Sequence, residues 1–122
     1  MADKLLVVIA NVDVSRPAEI FPPLLQATVA AAMEYDVEVL FTGVAGQLAI
    51  IGEAEKLSLK EGDNKNIYDH IKQAKVAGVV FKVCSPALKF WGDNIIPEID
   101  ETVGAAYIIT ESMDDSVVTF TY

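Results

Sequence analysis

The sequence predicts an α/β fold of three layers, a mostly parallel sheet of about five strands with helices on both faces. Three mainly apolar runs, Leu5 to Ala10, Val37 to Phe41 and Val79 to Val83, read as strands, and the first, continuous and aliphatic, has the pattern of a strand covered on both faces. Helical stretches separate them, so each connection is long enough for a right-handed crossover to the next parallel strand. With 122 residues the chain has the length of one domain, taken as 1–122. A chain of that size buries roughly two thirds of its unfolded surface and folds without staples.

The elements follow in order. Leu5 to Ala10 is the first strand, and Asn11 to Pro17 is a turn. Helical sequence then runs from Ala18 to Tyr35, with Pro22 and Pro23 inside it. Because proline is tolerated in a first turn and breaks a helix interior, the main helix is expected to begin near Pro22, with Leu24, Leu25, Thr28, Ala31, Ala32 and Tyr35 on one face. Val37 to Phe41 is the second strand, ended by Thr42 and Gly43 ahead of a short helix over Val44 to Ile51. Ala54 to Lys60 reads as a short strand or an extended connection, and Glu61 to Lys65 as a polar turn. A helix over Asn66 to Val76 carries an apolar stripe of Ile67, Ile71 and Ala74 and stops at Gly78. Val79 to Val83 is a strand delivering Cys84. Ser85, as N-cap, and Pro86, as first helical residue, open a short helix reaching Gly92. Asp93 to Glu101 reads as a loop, Thr102 to Met113 as a helix and Val117 to Tyr122 as the last strand.

Composition narrows the function classes. No apolar run approaches the roughly 20 residues of a membrane span, and the start lacks the h-region and cleavage site of a secretory signal, so a cytoplasmic protein is expected. Net charge is −9 and the nine basic residues are scattered, which leaves no stripe for a phosphate backbone; nucleic acid is not an expected partner. The acidity keeps the chain soluble and would steer a basic protein toward it. An apolar fraction of 52% is high for a small soluble chain, and part of that excess fits subunit contacts. The single cysteine excludes an internal disulfide and a cysteine-cluster metal site. No carboxylates recur with the one histidine, His70, at i, i+3 or i+4 spacing, so no metal is expected. His70 itself reads as a solvated surface residue.

Open parallel sheets gather ligands and reactive groups at the carboxyl ends of their strands, where loops converge and helix amino termini present free N–H groups. Cys84 stands at such an end, beside a helix start whose partial positive charge favours an anionic sulfur. It is either a nucleophile or sulfur carrier, or a small buried hydrophobe. Asn11 and Asp13 after the first strand and Thr42 and Gly43 after the second belong to the same edge, as cleft residues or as ordinary turn formers. Ser85 and Pro86 shape the helix start, and Trp91 shields the sulfur, docks a partner or packs in the core.

Several stretches resemble the DsrE/DsrF-like family of small sulfur-relay proteins: Lys4 to Asn11, Ala30 to Met33 before Val37 to Gly43, the junction Val83-Cys84-Ser85-Pro86-Ala87-Leu88, and Val117 to Tyr122. Only the cysteine junction among them carries chemistry. The resemblance implies a DsrE/YchN-like fold and sulfane sulfur held as a persulfide on Cys84, exchanged with small TusA-like or rhodanese-like carriers without a cofactor. It also implies a homo-oligomer, a trimer or hexamer. The chain departs from relatives that carry a second cysteine, so a two-thiol scheme does not apply. Two other functions stand beside this one: a non-catalytic oligomeric or partner-binding module with an inert buried cysteine, and a small-molecule or nucleotide site formed by Asn11, Thr42 and Gly43.

Overall fold

A computed structural model describes residues 3–60 and 64–122; Glu61, Gly62 and Asp63, of the turn expected from Glu61 to Lys65, lie outside the described residues. Strands β1 (Lys4–Ile9), β2 (Asp36–Phe41), β3 (Val80–Cys84), β4 (Ile99–Val103) and β5 (Val117–Thr121) form an all-parallel sheet in the order β4-β3-β2-β1-β5. The connections contain helices α1 (Pro17–Ala32), α2 (Ile67–Ala77), α3 (Ser85–Trp91) and α4 (Ala105–Ser112), with two 3₁₀ helices at Gly43–Ala49 and Ala54–Lys56. The three long apolar runs became β1, β2 and β3, the three inner strands.

Side chains alternate between the two faces. Val7 and Ile9 of β1, Val37, Val39 and Phe41 of β2, and Phe81 and Val83 of β3 join Ile20, Leu24 and Ala27 of α1 and Ile67, Ile71 and Ala74 of α2 in the main core. Phe41 and Phe81 stack there with ring centroids 5.8 Å apart. Leu6, Val8, Leu40 and Val103 point the other way, toward α4, with Tyr107, Ile108 and Val117 packed on them.

Five expectations need correction. The first helix begins at Pro17 and runs through both later prolines. Pro22 and Pro23 deprive the carbonyls of Ala18 and Glu19 of their helical donors, but that first turn is partly open to water, which supplies donors. The helix continues because Ile20, Pro23, Leu24 and Ala27, at i, i+3, i+4 and i+7, all reach the core. Leu25 and Tyr35, expected on the packed face, are exposed. Ala54 to Lys60 holds a 3₁₀ turn and one bridge from Ser58 to Asn66 in place of a strand.

The expected loop from Asp93 to Glu101 contains the start of β4, and the following helix is correspondingly shorter, starting at Ala105 after Gly104. β4 is an edge strand with a polar middle, and Asp100 works within it: the carboxylate accepts the Phe81 N–H at 3.0 Å beside a register shift in the β3–β4 pairing, and binds Lys75. Finally, Cys84 and not Ser85 is the N-cap of α3; Ser85 is already helical and Pro86 is second. The α2 expectation fits closely, with a capping box between Asn66 and Asp69 at its start and a left-handed Gly78 at φ 112° at its end.

Candidate functional site

The carboxyl edge of the sheet brings β2 and β3 together through paired register, Phe41 opposite Val83 and Cys84 opposite Val103 of β4. Carried one residue further, that register sets Thr42 beside Cys84, and the Thr42 N–H still pairs with the Ile9 carbonyl at 3.0 Å. Cys84 is extended, φ −76° and ψ 131°, and passes directly into α3. An N-cap side chain reaches the N–H of the second or third helical residue. Pro86 occupies the second position and has none, and the Cys84 side chain makes no cap hydrogen bond.

Gly43 and the 3₁₀ helix it opens seat α3. Gly43 adopts φ 57°, a left-handed conformation suited to glycine, and a Cβ there would lie 3.2 Å from the Ala10 carbonyl oxygen. Its own carbonyl accepts the Trp91 indole N–H at 3.0 Å. Gly46 lies against the same helix so closely that a Cβ would fall 2.5 Å from the Ala87 Cβ. Thr42, Gly43, Cys84, Ser85, Pro86 and Trp91 thus gather at one edge, and α3 is locked there by a hydrogen bond and a backbone-close contact.

Asn11 and Asp13 lie on the same side of the sheet but turn toward α1. The Asn11 N–H donates to the Tyr122 carbonyl at 3.0 Å, and the residue borders a hollow with Pro22 and Pro23. Asp13 accepts the Ser15 N–H at 3.0 Å and hydroxyl at 2.6 Å, and these bonds hold its carboxyl below the ordinary value of 3.8. It shapes the turn into α1. His70 is half-buried and stands edge-on to Phe21 with centroids 4.8 Å apart, so the expected solvated histidine is a packing residue between α1 and α2. Among the described residues no group of three or more His, Cys, Asp and Glu side chains could hold a metal ion.

Cys84 is only 4% exposed. Its side chain shares a face with Lys82, two residues earlier on β3, and that face lies under α4. Sequence reasoning missed what Lys82 does. Its ammonium pairs with Glu38 at 2.5 Å and donates to the Tyr107 hydroxyl at 2.7 Å; the Tyr107 hydroxyl donates to Glu38 at 2.5 Å. Lys4 bridges Glu38 at 2.8 Å and Glu111 at 3.0 Å. Burial alone would push the Glu38 carboxyl up, but bonds from Lys4, Lys82 and Tyr107 outweigh it and hold the group below 4.5. Burial likewise opposes the Lys82 charge, and Glu38 with Tyr107 more than offsets it, so its pKa is raised. The sequence signal was a charge inside each of two apolar runs, Glu38 in β2 and Lys82 in β3.

Two exposed apolar surfaces complete the site's surroundings. Phe90, 81% exposed, stands on α3 next to Trp91, with Val44 exposed on the neighbouring 3₁₀ helix. At the β5 edge of the sheet, a groove of about 520 Å³ between α1 and the edge strand β5 is lined by Leu25, Val29, Met33, Val118 and Phe120, among others. No helix among the described residues is long and apolar enough to cross a membrane.

No protein-family model and no curated protein matches the chain. Solved structures similar to it across nearly its whole length include the following two. The ychN protein from E. coli superposes with a TM-score of 0.71 at 21% identity, covering 98% of this chain and 100% of that one. A conserved protein of unknown function from Bacteroides thetaiotaomicron, BT1422, gives 0.67 at 12% identity, covering 98% and 95%. The chain therefore has the fold of the E. coli ychN protein.

Proposed function

We propose that the chain is a single-domain, cytoplasmic member of the DsrE/DsrF-like family that holds sulfane sulfur as a persulfide on Cys84 and exchanges it with TusA-like or rhodanese-like carriers. The observation that carries this reading is the place of Cys84: the carboxyl end of an inner strand, at the first turn of α3, in a ychN-like fold. In the transfer the Cys84 thiolate attacks the terminal sulfur of a donor persulfide. A sulfur–sulfur bond forms on Cys84 as the donor's breaks, the donor departs as a thiolate with the electron pair, and the proton stays on the transferred sulfur. Nothing is oxidised or reduced overall. The positive end of α3, seven residues long, contributes about 2 kcal/mol at most to an anion there, so a docked partner supplies most of the alignment. Exposed Phe90 and Trp91 at the far end of the helix that Cys84 opens suit that docking.

Assembly with further copies belongs to the same reading. The apolar groove along α1 and β5 supports it, because a lone chain would leave Leu25, Val29, Met33, Val118 and Phe120 facing water. The family resemblance implies a trimer or hexamer.

The burial of Cys84 favours a second reading, an oligomeric or partner-binding module whose thiol is inert. Intact-protein mass spectrometry after incubation with polysulfide or a persulfidated carrier separates the two. The expected result is a gain of one sulfur, reversed by reductant and absent from Cys84→Ser. No adduct from any donor, in a protein whose denatured thiol reacts normally, would overturn the sulfur reading.

A further inference from the structure

Cys84 lies between α3, which follows it in the chain, and α4, which packs on the sheet face that carries Lys82, and the two helices are held differently. α3 buries Ala87, sets it against Gly46 with no room for a methyl group, and ties Trp91 to the Gly43 carbonyl. α4 has no fully buried residue; Tyr107 and Ile108 pack partly on Leu6, Val8, Leu40 and Val103, while Ile109 and Met113 face water. What fastens α4 is polar. Tyr107 and Glu111, one turn apart on its inner side, reach Glu38 with Lys82, and Lys4, respectively. These ions sit on the sheet face that also carries Cys84, and Val103, the register neighbour of Cys84, leads through Gly104 straight into α4.

An element with little apolar burial opens at lower free energy than the core around it. Here opening also returns Glu38 and Lys82 to water, which offsets part of the interaction lost, because buried ions give up hydration to pair. We propose that α4 is a lid over the Cys84 face of the sheet, fastened by the Tyr107–Glu38–Lys82 cluster, and that the thiol becomes reachable when this fastening opens. The inference concerns access to sulfur and holds whether or not Cys84 carries a persulfide.

The test is the rate at which iodoacetamide alkylates Cys84 in the native protein, with the melting temperature read alongside. Tyr107→Phe keeps the ring and removes both hydroxyl bonds; it is expected to raise the rate about tenfold, the scale of a hydrogen bond to a charged group. Ile71→Val trims the opposite core and is expected to leave the native rate unchanged although it lowers the melting temperature. An unchanged rate in Tyr107→Phe overturns the lid, and so does an equal acceleration in Ile71→Val, which would assign labelling to global unfolding. If Tyr107→Phe does not fold, Glu111→Gln, which loosens only the Lys4 tie, decides: about a twofold rise is expected and no rise overturns the proposal. Alkylation needs no sulfur donor, so its outcome is independent of the sulfur-loading experiment.

Discussion

The two faces of the sheet solve the same problem with different materials. The α1–α2 face is apolar and deep, with Phe41, Phe81, Ile20, Leu24, Ile67 and Ile71 fully buried. The α4 face is thin, and at its centre Lys4, Glu38, Lys82 and Tyr107 replace aliphatic packing. Apolar burial gives stability in proportion to area and without direction. A buried ion cluster gives little net stability but fixes one arrangement and is costly to leave half made. The first face accounts for the fold being held; the second is where the fold can open.

The largest expected effect lies on the apolar face. Phe81→Ala removes one ring of the stacked pair and leaves a cavity, and urea unfolding should show a loss of about 3–5 kcal/mol. A loss under 1 kcal/mol would mean that this face is not the main support. The second prediction concerns acid and the ionic face. Glu38 has a folded pKa below its ordinary 4.5, so the stability it contributes is fully present above that value and is lost as pH falls through the folded one. Asp100, which burial would push up but Lys75 and the Phe81 N–H hold down, acts in the same direction. Between about pH 5 and pH 3 the urea midpoint should fall, and Glu38→Gln should lose on the order of 1 kcal/mol less over that interval. Parallel curves for the two proteins would remove Glu38 from the account. The smallest effect on stability is expected at the groove: Leu25→Glu, at an exposed position, should shift unfolding by about 0.5 kcal/mol or less. It should nonetheless move the sedimentation of the protein toward a monomer, and unaltered sedimentation would separate self-association from this groove.

How much of this was legible in the sequence follows the same division. β1, β2 and β3 were readable because their runs are apolar on both faces, and α2 because Asn66 and Gly78 mark its ends. β4 was not, since an edge strand tolerates Asp100, Glu101 and Thr102 facing water and these residues resemble a loop. The start of α1 was obscured by a sound local rule, that proline breaks helices, overridden by the core contacts of Ile20, Pro23 and Leu24. Cys84 could be placed at a strand end by pattern alone. Thr42, Gly43, Ser85, Pro86 and Trp91 could be assigned to the same edge, but the pairings could not, because Gly43 meets Trp91 across 48 residues of sequence and Glu38 meets Tyr107 across 69, and such partnerships are set by sheet order.

The solitary cysteine has a consequence for oxidation. With one thiol in the chain, any disulfide must join Cys84 to another molecule, and that requires a foreign sulfur to come within about 2.05 Å of its own. A side chain 4% exposed does not permit such an approach in the closed structure. Glutathione, a second copy of the chain and a protein carrier all meet the same barrier, so the movement that admits a partner is also the one that ends the thiol's protection from air.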